Sequence, residues 1–276
     1  MSQAAGDRRP VLLTFAGTGV DMWTGYPADI ARQVGDAWYW QPVNYGPNGI
    51  PATFPMGPSI DSGFREGLRL IREEHPNASG YGVLGYSQGA EPASMLLNEF
   101  RGGSLRDLES RFVGGTVIGN PMREKGRFIG AVDPGGRGIA QKRLVGTPTA
   151  TRLSGNVPAW NEYVEPGDIY ANVPDNEIGD DMTAIYRLIM MRNLLDLIGP
   201  GNSLLEQVTE LLQSPLQRFP AMVQAIVKSL MFFGAKPATA AHIEYHLRQV
   251  QPGRTYFDHA VNRTRELGRA ALALAA

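Results

Sequence analysis

Gly85-Tyr86-Ser87-Gln88-Gly89 constrains the fold of this chain more than any other stretch. Before it, Tyr81-Gly82-Val83-Leu84-Gly85-Tyr86 is a short apolar run that reads as a buried strand. After it, Ala90-Glu91-Pro92-Ala93-Ser94-Met95-Leu96-Leu97 reads as a helix. A chain turns sharply from strand to helix at a serine only if the flanking residues are small. Gly85 and Gly89 meet that need. Ser87 can then take a strained backbone conformation, with its hydroxyl raised above the sheet edge near the positive end of the following helix. This is the G-x-S-x-G pattern of a nucleophile elbow, and its confirmation is the strand before and the helix after. The competing reading is an ordinary glycine-rich turn in a chain with 33 glycines.

Around that turn, strands and helices alternate. Val11-Leu12-Leu13-Thr14-Phe15-Ala16 reads as a first core strand ending at Gly17-Thr18-Gly19, and Trp38–Val43 as a second. Ser59 to Glu74 has helical spacing, with Ile60, Phe64, Leu68 and Ile71 on one face and Ser59 as its cap. Phe112–Ile118 is a further strand. An irregular Gly- and Arg-rich stretch runs from Met122 to Asn156, and Val157–Val164 is the last clear strand. This alternation argues for a mainly parallel sheet with helices on both faces. From Glu177 to Phe233 the patterns are helical only, with apolar faces at Ile185, Leu188, Ile189 and Leu195, at Leu204 to Leu212, and at Met222 to Leu230. That block reads as a helical linker or lid insertion (177–233) in a catalytic domain formed by 1–176 and 234–276. An alanine-rich helix from about Asp258 ends the chain.

Composition excludes several chemistries. With 276 residues and 43% hydrophobic content the chain can form one large α/β domain. It has no cysteine, which removes disulfides, thiolate zinc sites and a cysteine nucleophile. A net charge of −1 provides no basic excess for nucleic acid. Residues 1–10 are polar, so no signal peptide is expected, and no run of about 18 apolar residues offers a transmembrane segment.

A serine hydroxyl needs a base to take its proton and a third group to orient that base. In chain order the acid and then the histidine follow the serine. Of four histidines, His75 precedes Ser87 and reads as a surface cap at a helix end. His242 follows Pro237 and a run of small residues and is the first choice as base. His246, one helical turn on, and His259 remain open. A zinc site on His242 and His246 fails, because Ile243 stands where the metalloprotease pattern needs Glu. Asp168 directly follows the last strand and is the expected acid, with Asp175 second; Asp180 and Asp181 read as a solvated helix start. The oxyanion donors would be the backbone N–H of Gln88 and that of Thr18, whose hydroxyl could add a third. Gly17-Thr18-Gly19 lacks the third glycine of a dinucleotide loop, since Met22 stands there.

Gly85-Tyr86-Ser87-Gln88-Gly89-Ala90, Pro166-Gly167-Asp168, Ala241-His242-Ile243-Glu244-Tyr245 and Asn120-Pro121-Met122-Arg123 together resemble the motifs of cutinase-like serine esterases. Among these the chain is most similar to the lysin B enzymes of mycobacteriophages, in its order of parts, its lack of cutinase disulfides and its helical linker before the histidine. The resemblance implies a cutinase-like α/β-hydrolase fold with Ser87, Asp168 and His242 as catalytic residues and no cofactor. It implies an esterase that cuts the mycolic acid–arabinogalactan ester of the host wall at lysis. The partner would be a lipid-ester or glycolipid substrate, with peripheral contact to the lipid outer layer. The enzyme would be made in the host cytoplasm and released at lysis. A cellular lipase or acyltransferase with the same triad, and an inactive envelope-binding module, are the alternatives.

Overall fold

The computed structural model of the chain describes residues 7–52, 55–140, 152–153, 157–190 and 240–274. Its centre is a five-stranded parallel sheet. In spatial order the strands are β2 (Tyr39–Pro42), β1 (Val11–Phe15), β3 (Tyr81–Tyr86), β4 (Phe112–Ile118) and β7 (Trp160–Tyr163). All seven residues of β4 and all five of β1 are buried, as expected for strands covered on both faces.

Side chains on a strand alternate between faces, and the core divides accordingly. Val11, Leu13 and Phe15 pack on the side of α2 (Met56–Arg69) and α3 (Ala90–Gly102). Leu12 packs on the other side, with α1 (Gly25–Gln33) and α6 (Tyr256–Leu274). Val83 and Leu84, and Val117 and Ile118, split in the same way. Trp38 anchors α6 to the sheet: its indole N–H donates to the Thr264 carbonyl at 2.7 Å. A Cβ on Gly82 or Gly268 would come within 2.4 and 2.5 Å of that indole.

The strand order places the site. The chain moves from β1 outward to β2, then returns to the other side of β1 to form β3. Open α/β sheets bind ligands beyond the carboxyl ends of the strands on either side of such a reversal, here β1 and β3. Ser87 lies at the end of β3 and the loop of Thr18 at the end of β1.

Three elements depart from the sequence reading. The helix expected from Ser59 begins at Met56, and a π-helical turn at Leu70–Glu74 completes it. Met56 is buried in the core, so the helix starts where that side chain docks. Ser59 is not its cap; its hydroxyl accepts the Ala52 N–H at 3.0 Å and pins the preceding loop. The strand expected over 157–164 divides: β6 (Val157–Pro158) pairs antiparallel with β5 (Arg152–Leu153), and only β7 joins the main sheet. His75 is not a surface cap but is buried, with Nε2 2.9 Å from Gln41 Oε1. Burial pushes its imidazole below the usual histidine range.

A helix, α4 (Glu177–Met190), begins where the helical block was expected and packs against α2. The faces around 204–212 and 222–230, Leu195, and the side chains of Ile185, Leu188 and Ile189 lie outside the described residues. Arg137 ties α4 to the loop after β4, donating to Asp180 at 2.7 Å and Thr183 at 2.9 Å.

The two elbow glycines are sterically obligatory. A Cβ on Gly89 would lie 2.3 Å from the carbonyl oxygens of both Phe15 and Ala16, and one on Gly85 2.5 Å from the Gly89 oxygen. These contacts are with backbone, which cannot swing aside. Gly89→Ala should therefore destabilise the fold by about 3 kcal/mol or more, the upper end of overpacking costs. Urea unfolding checks this; a loss below about 1 kcal/mol would show that α3 can lift off β1 without strain.

Candidate active site

Ser87 has φ 54°, one of two positive-φ non-glycine residues among the described residues. It is half-buried and opens a short 3-10 turn, Ser87–Gly89, that leads into α3. A left-handed backbone at a non-glycine residue costs of order 1 kcal/mol or more and persists only where the surroundings enforce it. The two glycine contacts described above do so here.

His242 lies on the short helix α5 (Ala240–Ile243) and is buried. Its Nε2 is 2.8 Å from Ser87 Oγ and its Nδ1 is 2.8 Å from Asp168 Oδ2. Asp168 has no exposed surface. A carboxylate can only accept, so Nδ1 carries the proton and Nε2 is left to accept from the serine. That tautomer is the one a base needs. Asp168 Oδ1 accepts the backbone N–H groups of Tyr170 (2.9 Å) and Ala171 (3.1 Å). Burial works to raise the Asp168 carboxyl. The His242 charge and hydrogen bond, the Tyr245 hydroxyl and the Tyr170 N–H outweigh it and hold the group below the ordinary carboxylate range.

The other sequence candidates lie elsewhere. Asp175 is exposed and pairs with Lys125 at 2.9 Å. His246 Nδ1 meets the Tyr26 hydroxyl at 2.7 Å, and His259 Nδ1 meets that of Tyr163 at 2.7 Å. Asp180 pairs with Arg137, and the side chain of Asp181 lies outside the described residues. Gln88 is buried, its amide N–H donating to the Ala52 carbonyl at 3.2 Å, and its Oε1 accepts from the Thr18 hydroxyl at 3.1 Å. That hydroxyl, expected as an extra oxyanion donor, instead joins the two loops that bear the candidate backbone donors.

Over 241 residues the chain is 32% identical to Endolysin B of Mycobacterium phage L5, and over 239 residues 32% identical to Endolysin B of Mycobacterium phage D29. Each match covers 82% of this chain and 89% of the relative. The crystal structure of lysin B from mycobacteriophage D29 superposes with a TM-score of 0.62 at 29% identity, covering 93% of this chain and 99% of that one. The chain belongs to the lysin B family. No protein-family model matches it. It is thus a phage lysin with the α/β-hydrolase fold.

Several residues of this lysin's site were not foreseen from sequence. Gly119, at φ 60°, follows β4, and a Cβ there would lie 2.8 Å from the His242 ring and 3.1 Å from Asp168 Oδ2. The Tyr86 ring stacks on His242 with centroids 5.3 Å apart, and its hydroxyl donates to the His242 carbonyl at 2.9 Å. The Tyr170 ring lies tilted against the same imidazole, with centroids 4.7 Å apart. Gly119 left a signal as the glycine after a strand in Gly119-Asn120-Pro121, and Tyr86 lies inside the elbow motif, but neither announces contact with the imidazole. Among the described residues no group of three or more His, Asp or Glu side chains could hold a metal ion, and no helix is long and apolar enough to cross a membrane.

Another buried carboxylate lies on the last strand of the sheet. Glu162 on β7 accepts from the Trp160 indole at 2.8 Å and from the Asn120 amide at 3.1 and 3.2 Å. Burial raises its carboxyl from 4.5 to about 7, against the pull of those donors and of Arg123. Unfolded, the group loses its proton near 4.5; folded, it keeps the proton to about 7. Between those values the unfolded state binds fewer protons, so stability falls as pH rises, and the loss is complete above about 7. Asp168 has the opposite sign: its contribution is present above the ordinary carboxylate range and is lost as pH falls through its depressed value. Glu162→Gln, whose amide oxygen can accept from both Trp160 and Asn120, should remove the decline in Tm across pH 5 to 7 (approximate limits). Thermal melts at stepped pH test this; an unaltered decline assigns it to another group.

Proposed function

We propose that this lysin B family member is a serine esterase. Ser87 is the nucleophile, His242 the base and then the acid, and Asp168 the group that orients the imidazole. The observation that carries the reading is the hydrogen-bonded line from Ser87 Oγ through His242 to Asp168, with both links at 2.8 Å and the serine at positive φ. Ser87 Oγ attacks the ester carbonyl as His242 Nε2 takes its proton. The backbone N–H groups of Gln88 and Thr18 receive the developing negative charge. His242 then delivers the proton to the leaving alcohol, and water cleaves the acyl-enzyme through the same base. Asp168 stays ionised throughout and stabilises the imidazolium.

The substrate is a long-chain acyl ester. Exposed apolar side chains support this: Trp23 follows β1, Ile50 follows β2, and Ile243 and Leu247 flank the segment of His242. Within the family, whose matched relatives come from Mycobacterium phages, we read the ester as the one joining mycolic acids to arabinogalactan, cut in the host envelope at lysis.

Ser87→Ala should abolish hydrolysis of p-nitrophenyl esters and labelling by a fluorophosphonate while leaving Tm nearly unchanged. Labelling that persists in the variant would remove Ser87 from the role. Asp168→Asn should reduce kcat by up to about 10⁴-fold. His246→Ala and His259→Ala should retain more than about half of wild-type turnover, whereas His242→Ala should fall as far as Ser87→Ala, given that triad losses are not additive. Free mycolic acid released from purified mycolyl-arabinogalactan, with no transfer to added glycerol or trehalose, is the outcome expected of a hydrolase; transfer would mark an acyltransferase.

A further inference from the structure

Asp168 Oδ2 receives two hydrogen bonds, and only one comes from the histidine. The second is donated by the hydroxyl of Tyr245 at 2.6 Å, shorter than the 2.8 Å link to His242. Its direction is fixed by chemistry. An ionised carboxylate offers no proton, and the Tyr245 oxygen itself accepts the Glu165 N–H at 3.2 Å. Tyr245 is fully buried, and burial together with the neighbouring Asp168 charge pushes its phenol well above the ordinary tyrosine value, so it stays protonated. With the N–H groups of Tyr170 and Ala171 on Oδ1, all four lone-pair positions of the carboxylate are occupied.

We propose that Tyr245 is a positioning residue for the acid and base pair, holding Asp168 from the same segment that carries His242 and sharing the charge that Asp168 presents to it. This rests on the esterase reading above. Tyr245 stands three residues beyond His242, so one stretch of chain grips Asp168 at two points. The two side chains keep their relation if that stretch shifts. The bond falls on the oxygen that faces the imidazole, not on the one tied to backbone, so it draws electron density from the atom that stabilises His242 as a cation. A hydroxyl serving packing alone would have no such effect. The ring is separately held by edge contacts with Tyr256 and Tyr26, at 5.4 and 6.4 Å.

The test is the pH dependence of ester hydrolysis by wild type and Tyr245→Phe. With the hydroxyl gone, Asp168 keeps His242 and two backbone N–H groups but loses the grip that sets its angle to the imidazole, which lowers turnover, and it carries more charge on Oδ2. The imidazolium is then better stabilised, and the acid limb of kcat/KM moves up by about half a unit or more. The plateau kcat falls about tenfold, the scale of one hydrogen bond to a charged group, while KM stays within about twofold. An acid limb that stays in place or moves down overturns the proposal, as does an unchanged kcat. Should Tyr245→Phe fail to fold, site-specific 3-fluorotyrosine at 245 keeps the bond and strengthens the donor, and the limb should then move down; no movement overturns the proposal. A wild-type protein inert to ester and fluorophosphonate would instead defeat the esterase reading, so the two failures are distinguishable.

Discussion

A buried negative charge sets the terms for this molecule. Asp168 has no exposed surface, and an isolated carboxylate so placed would take up a proton rather than stay ionised. Its four donors come from two stretches of chain: the turn of Tyr170 and Ala171, and the segment of His242 and Tyr245. Residues more than seventy positions apart must therefore meet before the charge is tolerable. This convergence gives the imidazole a fixed orientation, and that orientation leaves Nε2 facing Ser87. Gly119 permits the approach, because any side chain there would strike both His242 and Asp168.

The sheet supplies the rest by topology alone. Parallel strands deliver all their carboxyl ends to one edge, so the residues after β1, β3, β4 and β7 come together however far apart they lie in sequence. Thr18 follows β1, Ser87 follows β3, Gly119 follows β4 and Asp168 follows β7. The change of direction between β1 and β3 falls at Ser87, the place where open α/β sheets bind ligands. The Thr18–Gln88 hydrogen bond then joins the two loops on either side of it.

Much of this arrangement was legible in the sequence because it follows from local rules. The strands at 81–86 and 112–118 are short apolar runs bounded by glycine, and both were recovered to the residue. The two glycines of the elbow announced a backbone contact, which the carbonyls of Phe15 and Ala16 supply. Other features were hidden because they depend on tertiary partners. Ser59 has the chemistry of a cap, but the burial of Met56 sets the start of the helix. His75 sits at a helix end, where exposure is the usual outcome; nothing local reveals that Gln41 and Tyr39 cover it. The candidate serine and acid stand out by their positions after strands. The histidine was not fixed in the same way, since His242, His246 and His259 all occur after the acid and only contact separates them. Tyr86 and Tyr245 lie inside the quoted motifs and Tyr170 outside them, but their part in the site is visible only as rings and hydroxyls around His242 and Asp168.

Two of the buried carboxylates show what the fold controls beyond position. Asp168 and Glu162 are both buried, one just beyond β7 and the other within it. Burial alone would raise both. Asp168 is held low because its partners include a group that can become a cation, a phenol and two backbone N–H groups, each aimed at a lone pair. Glu162 is pushed to about 7 because its donors are one indole and one shared amide. Arg123 exerts a pull on it but spends its own hydrogen bonds on the Ala171, Arg127 and Gly135 carbonyls and on Asn172. The same residue chemistry at one edge of one sheet thus yields a lasting anion in one place and a near-neutral acid in the other. The difference lies in how many donors reach each carboxylate and whether any can carry charge, which makes the hydrogen bonds around Asp168, rather than its depth, the property that holds the imidazole opposite Ser87.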